Sequence, residues 1–156
     1  MSEPGLRIVE DDLQGPEIAR LLREHLDHMY AISPPGSVHA LDLDALRAPG
    51  IRFWTAWDGA SLAGCGALKP VDVAHGEIKS MRTDRNHLRK GVAARILAHI
   101  VAEARKAGYR RLSLETGNYD AFVPAHRLYE RFGFRPCGPF GSYAPDPISL
   151  YFTLKL

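Results

Sequence analysis

A chain of 156 residues, 46% hydrophobic and 24% charged, is long enough to bury a substantial core and too ordinary in composition for a disordered role, so a single domain over residues 1–156 is expected. A formal net charge of +2 leaves no electrostatic footprint for a nucleic-acid partner. The apolar runs are short and broken by charge, and Met1-Ser2-Glu3-Pro4 lacks the basic and apolar parts of a secretion signal, so a cytoplasmic protein without a membrane partner is expected.

Leu6-Arg7-Ile8-Val9 alternates as a short first strand does, and Asp11-Asp12 lead through Gly15-Pro16 into a helical pattern. That helix carries Ile18, Leu21, Leu22, His25 and Met29 on neighbouring faces. It should end near Met29 or Tyr30, because Ser33-Pro34-Pro35-Gly36 cannot continue it. Leu41-Asp42-Leu43-Asp44-Ala45-Leu46 reads as a short second helix capped by Asp42 or a neighbour. Phe53–Trp57 and Leu62–Leu68 flank Asp58-Gly59-Ala60-Ser61, a hairpin signal that pairs them as antiparallel strands. Cys65 falls in the second of these as a small core residue, and neither it nor Cys137 belongs to a Cys-x-x-Cys motif, so no zinc site or disulfide framework is suggested.

The next strand, Gly76–Thr83, delivers the chain through a polar bend to Leu88-Arg89-Lys90-Gly91. From there Val92, Ala93, Ile96, Leu97, Ile100, Val101 and Ala104 recur at helical spacing, and the helix stops at Gly108 with Arg105 and Lys106 in its last turn. The N–H groups of the first helical turn have no partner within the helix and lie at the positive end of its dipole, which suits phosphate. Gly91 lets an anion approach the backbone, Ala93 and Ala94 keep the first turn open, and Arg89 and Lys90 add full charges. There is no Gly-Lys-Ser/Thr run and no G-x-G-x-x-G, so ATP and NAD are poor fits. Leu112–Thr116 is a further strand, which makes a parallel strand–helix–strand unit. Pro124 opens another helix with Ala125, Leu128, Tyr129 and Phe132 on one face and Gly133 at its end. The chain closes on a strand, Ile148–Leu156, after an irregular Pro- and Gly-rich connection over 136–147 that either covers a substrate pocket or simply links two elements.

Leu88-Arg89-Lys90-Gly91-Val92-Ala93 resembles the coenzyme A signature of the Gcn5-related N-acetyltransferases, the GNAT family, in which a strand is followed by Gln/Arg-x-x-Gly-x-Gly/Ala; Leu88 departs from its first position. Ala125-His126-Arg127-Leu128-Tyr129-Glu130-Arg131-Phe132-Gly133-Phe134 is similar to the family's closing motif. With the element order above, the resemblance covers nearly the whole chain. It implies an α/β (α+β) GNAT fold: a mixed sheet of six to seven strands, about four helices, and two parallel strands, here Gly76–Thr83 and Leu112–Thr116, that splay apart around the coenzyme's pantetheine arm. The cosubstrate it implies is acetyl-CoA, held by Met81, Arg82 and Thr83 of the splayed strand and by Arg89, Lys90, Gly91, Val92, Ala93 and Ala94 at the helix start.

The reaction it implies is direct attack of a primary amine, on a small molecule or a peptide, on the thioester. Such transfer needs a base for the ammonium, donors for the oxyanion and an acid for the departing thiolate. Glu77 stands at the offset from Gly91 at which the family's histone acetyltransferases place a catalytic glutamate, and is the candidate base; Glu115, His75 and a water chain are the alternatives. Tyr129 is the candidate acid, a phenol that gives a proton to a thiolate at modest cost. Where family members often carry an Asn ahead of that Tyr, this chain has Phe122, and Asn118 lies too early to replace it. Residues 25 to 48, with His25, His28, Tyr30, Ser33, His39 and Asp42, should select the acceptor, with His28 and Tyr30 as candidate contacts. His25 and His28 lie one turn apart but lack a third ligand at motif spacing, so no metal is expected. Arg82, Arg85, Arg89, Lys90 and Arg95 form a basic cluster that coenzyme phosphates explain better than nucleic acid. A non-catalytic acyl-CoA sensor is the alternative reading. The identity of the acceptor and the choice between monomer and homodimer stay open.

Overall fold

The computed structural model describes residues 6–33 and 43–156. The expected contributions of His39 and Asp42 lie outside the described residues. The elements run β1 (Arg7–Glu10), α1 (Pro16–Ile32), α2 (Leu43–Leu46), β2 (Arg52–Asp58), β3 (Ser61–Pro70), β4 (His75–Thr83), α3 (Val92–Lys106), β5 (Arg111–Gly117), α4 (Val123–Arg131), β6 (Arg135–Cys137) and β7 (Ser149–Lys155). The strands form one seven-stranded sheet in the order β1-β2-β3-β4-β5-β7-β6. Every pairing is antiparallel except β4 with β5, which α3 joins as a crossover.

Helices cover both faces of the sheet, each through its own apolar stripe. On one face Ile96, Leu97, Ile100, Val101 and Ala104 of α3 and Leu128 and Tyr129 of α4 bury against Ile78, Leu112, Leu114 and Phe152. On the other, Ile18, Leu21 and Leu22 of α1 and Leu46 of α2 pack on Phe53, Leu62, Cys65 and Ala67. No described helix is long and apolar enough to cross a membrane.

Two element ends differ from expectation. α1 runs on to Ile32 and stops at Ser33, which is extended at φ −121° and ψ 144°; the steric effect of Pro34 falls on the residue before it, so the last turn of the helix survives. The connection expected to be irregular from Pro136 onward begins instead as β6, where Pro136 pairs with Phe152. β6 is the sheet edge, where a residue without an N–H is tolerated.

Two features of β4 shape the site. Its pairing with β5 covers His75–Arg111, Gly76–Leu112 and Glu77–Ser113 only, although β4 continues to Thr83 and β5 to Gly117. The two strands therefore part beyond Glu77. β4 also bulges: Ala67 of β3 faces Lys79 and Cys65 faces Arg82, so Gly66 alone opposes Ser80 and Met81. Ser80 takes the left-handed conformation at φ 57°. A Cβ at Gly66 would meet Met81 Sδ at 2.7 Å and Ile100 at 2.9 Å, so only glycine lets the bulge lie flat beneath α3.

Candidate active site

The gap between the parted strands is a cavity of about 120 Å³ lined from β4 by Glu77 to Met81, from β5 by Leu114 to Gly117, and by Tyr129 of α4. At its far end the chain leaves β4 through a 3-10 turn, Arg85–His87, whose first N–H groups the Asp84 side chain caps by accepting from Asn86 N at 3.1 Å. It then enters α3 at Gly91, with φ 77° and ψ 14°. Arg89 is also left-handed at φ 64°. Such turns in the backbone bring successive N–H groups toward one point, the geometry of an anion nest. No side chain caps α3, and nothing lies within 4 Å of where a Gly91 Cβ would stand. Val92 sends its side chain into the core, Ala93 and Ala94 are half-buried, and Arg89 and Lys90 are exposed beside them. The expected coenzyme residues of β4 and of the α3 start thus stand a single short turn apart.

Glu77 is the last β4 residue paired with β5, and its side chain is 6% exposed. Strand alternation puts Lys79 on the same face, where its Nζ donates to Glu77 Oε2 at 3.2 Å and to Tyr143 Oη at 2.8 Å. Tyr143 in turn donates to Glu77 Oε2 at 2.5 Å. Burial, with the Glu77 charge next, holds the Tyr143 phenol well above its ordinary value. Tyr143 belongs to the connection between β6 and β7, which stacks against the sheet through Phe140, His75 and Tyr151 and is tied down where Asn118 donates to Pro147 O at 2.8 Å. Under this connection lies a second, larger cavity of about 730 Å³, lined by Lys69, Pro70 and residues 141 to 146. Glu77 and Lys79 line both cavities, so they form the partition between them.

Tyr129 is buried beside Phe134 and Phe152 with its ring in the wall of the smaller cavity. Burial, reinforced by the Glu115 charge, pushes its phenol up to about 12. Glu115 lines the same cavity and accepts from Ser149 Oγ at 2.8 Å. His75 is turned to the Ser113 hydroxyl, 2.6 Å away, rather than to the cavity. Phe122 packs against Gly117, where a Cβ would meet it at 2.6 Å.

α1 contributes His25 and Met29 to the cavity wall. His28 and Tyr30 sit on its exposed side, Tyr30 being 63% exposed. Arg82 does not join the basic residues at the α3 start: it lies opposite Cys65, which packs with α1, and its charge acts on His25. His25 Nδ1, Ser80 Oγ and Arg82 Nε are buried without hydrogen-bond partners. Burial first, and then Arg82, lower His25 to about 4. The role of Lys79 was open to alternation arguments, whereas nothing periodic in 136–147 marked Tyr143. Among the described residues no group of three or more His, Cys, Asp or Glu side chains could hold a metal ion.

A family model for the acetyltransferase (GNAT) family matches residues 17–134. The uncharacterized N-acetyltransferase YsnE of Bacillus subtilis (strain 168) is 57% identical over 151 residues, covering 97% of this chain and 100% of that protein. The IAA acetyltransferase of Azospirillum brasilense is 36% identical over 154 residues, covering 98% and 99%. A solved GNAT family acetyltransferase from Elizabethkingia anophelis, with acetyl-CoA bound, has the same fold at a TM-score of 0.69 and 20% identity, covering 99% of this chain and 100% of that one.

Proposed function

The chain belongs to the GNAT family of acetyltransferases, and from that premise we propose that it transfers an acetyl group from acetyl-CoA to a primary amine by direct attack, with the pantetheine arm between β4 and β5 and the pyrophosphate on the first turn of α3. The observation that carries this is the end of β4–β5 pairing at Glu77–Ser113, which leaves two strand edges open next to an uncapped helix start. An arm entering there would bond the backbone of Met81 and Thr83 as a strand does, and the N–H groups of Val92, Ala93 and Ala94, with Arg89 and Lys90 alongside, would meet the phosphates. The acetyl-CoA bound to the Elizabethkingia anophelis protein supports the assignment.

In this reading the acceptor enters through the larger cavity and gives its proton to Glu77, where Lys79 Nζ now sits. The neutral amine then attacks the thioester carbonyl, and a backbone N–H beside the Ser80 bulge steadies the oxyanion. When the C–S bond breaks, Tyr129 faces the thiolate. A phenol at about 12 gives up its proton at higher cost than an ordinary tyrosine, roughly 1.4 kcal/mol more for each unit, so a hydrogen bond to the thiolate is its first contribution. His28 and Tyr30 would touch only the distal part of an acceptor. The proposal extends to a single domain working in the cytoplasm, as monomer or homodimer, without nucleic-acid or membrane partners; the small net charge of +2 supports the nucleic-acid part.

The test is thiol release from acetyl-CoA with a panel of primary amines, followed with a thiol-reactive dye. Release that depends on an amine is expected. Acetyl-CoA binding without release for any amine would replace the enzyme by an acyl-CoA sensor.

A further inference from the structure

We infer that the acceptor amine carries a carboxylate or comparable anionic group on the same small molecule, held at the α1 end of the cleft by Arg82, Ser80 and His25. The inference rests on the acetyl-transfer reading and specifies its substrate class.

Three polar atoms there, His25 Nδ1, Ser80 Oγ and Arg82 Nε, are closed off from solvent yet bond to nothing. A buried polar atom left unpaired costs about 1–3 kcal/mol, and a buried charge more, so three together mark a place prepared for something that accepts hydrogen bonds. His25 and Ser80 line the cleft itself. Arg82 stands behind them as a fixed charge, and the charges acting on His25, those of Arg82 and His28, include no carboxylate to offset them. His25 at about 4 is neutral at physiological pH, so it offers a hydrogen bond and leaves Arg82 to match an anion.

Glu77 and Glu115 line the same cleft. Lys79 is already engaged there by Glu77 and Tyr143. Glu77 and Ser80 are three residues apart on one strand, at most about 10 Å at regular strand rise. The cleft therefore presents carboxylates where an ammonium must lose its proton and donors where an acid could rest, the pattern a zwitterionic acceptor fits. The coenzyme phosphates do not account for it, because the α3 start is on the other face of β4.

The experiment measures kcat/KM for acceptor pairs that differ only in the acid: α-amino acids and 6-aminohexanoate against their decarboxylated amines. Wild type should favour the acid-bearing member of its best pair at least tenfold. Arg82→Gln should bring the ratio toward one, through KM, while acetyl-CoA affinity by calorimetry changes less than twofold. Ser80→Ala, which removes only a hydroxyl, should lower the ratio about threefold and decides the matter if Arg82→Gln does not fold. Equal use of both members, or loss of acetyl-CoA affinity in Arg82→Gln with the ratio unchanged, overturns the inference. If no amine is acetylated at all, the acetyl-transfer reading has failed separately, and thermal shift still reads the anion site: hexanoate should stabilise wild type more than hexanamide does and lose that advantage in Arg82→Gln, whereas equal shifts overturn it.

Discussion

Replacing Gly91 with glutamate puts one negative charge at the start of α3 and nothing else in the way. No atom lies within 4 Å of the position its Cβ would take, so there is no clash to relieve. The backbone cost comes from φ 77°, where an L-residue is strained by about 1–2 kcal/mol. A domain of this size then loses about 2–8 °C of melting temperature. Gly91→Ala carries the same strain without the charge and is the control. A carboxylate about 5 Å from a pyrophosphate repels each phosphate charge by roughly 1 kcal/mol at the dielectric of water and about 3 at an effective value of 20. Gly91 is exposed, so the total for two charges should fall near 3 kcal/mol, a roughly hundredfold loss of affinity. Calorimetric titration with acetyl-CoA of wild type, Gly91→Ala and Gly91→Glu separates the two effects. If the glutamate variant binds within threefold of the alanine variant, phosphate does not sit on this helix and the coenzyme assignment falls.

Three other outcomes are expected. Glu77→Gln keeps the shape of the partition but removes the proton acceptor, so kcat should drop about 100-fold or more at unchanged acetyl-CoA affinity; a rate within fivefold of wild type would hand the base role to a water chain. Tyr143→Phe removes the hydroxyl that contacts Glu77 at 2.5 Å and Lys79 at 2.8 Å, at about 1.5–3 kcal/mol, and steady-state kinetics should show acceptor kcat/KM falling on the order of tenfold or more; an unchanged value would make the connection above it a mere link. The His25 pKa, lowered from 6.5 to about 4, makes stability depend on pH: as pH falls through 6.5 the unfolded chain takes up a proton that the folded chain refuses, so stability present above 6.5 is lost down to about 4, on the order of 3 kcal/mol. Urea unfolding at pH 7 and pH 4.5 should show this loss in wild type and much less of it in His25→Gln, and equal losses in the two would refute it.

The helix start proposed to hold the coenzyme was legible in the sequence because its signals are local. A helix start needs only a glycine and small residues in order, and Gly91, Ala93 and Ala94 say so without help from the rest of the chain. The alternating strands around the hairpin and the crossover helix followed from the same short-range periodicities, whereas Glu77 was singled out only by the family resemblance, through its offset from Gly91. The acceptor end was opaque for the opposite reason. Tyr143 reaches Glu77 across 66 residues of chain, from a stretch whose prolines and glycines carry no period. β6 escaped notice because a proline inside a strand is tolerated only at an edge, and edge position is a property of the assembled sheet.

The Ser80 bulge is where sequence parity and structure part company most sharply. Gly76 and Ile78 face α3, and Glu77 and Lys79 face the other way, so simple alternation would send Met81 with the glutamate and Arg82 toward α3 and the coenzyme phosphates. One extra residue at the bulge reverses the phase: Met81 packs on the α3 core, and Arg82 turns to the side of Cys65 and His25. The same irregularity interrupts pairing on the β3 side of β4, which resumes at Cys65–Arg82, just beyond the point where pairing with β5 has ceased, and the β5-facing backbone there stays open to an incoming chain. A single left-handed serine thus divides the strand's duties. On the proposed reading its backbone would serve the coenzyme arm, and the cation that a linear reading assigns to phosphate would go to the acceptor instead, so selectivity should respond to Arg82 and the grip on acetyl-CoA to Gly91.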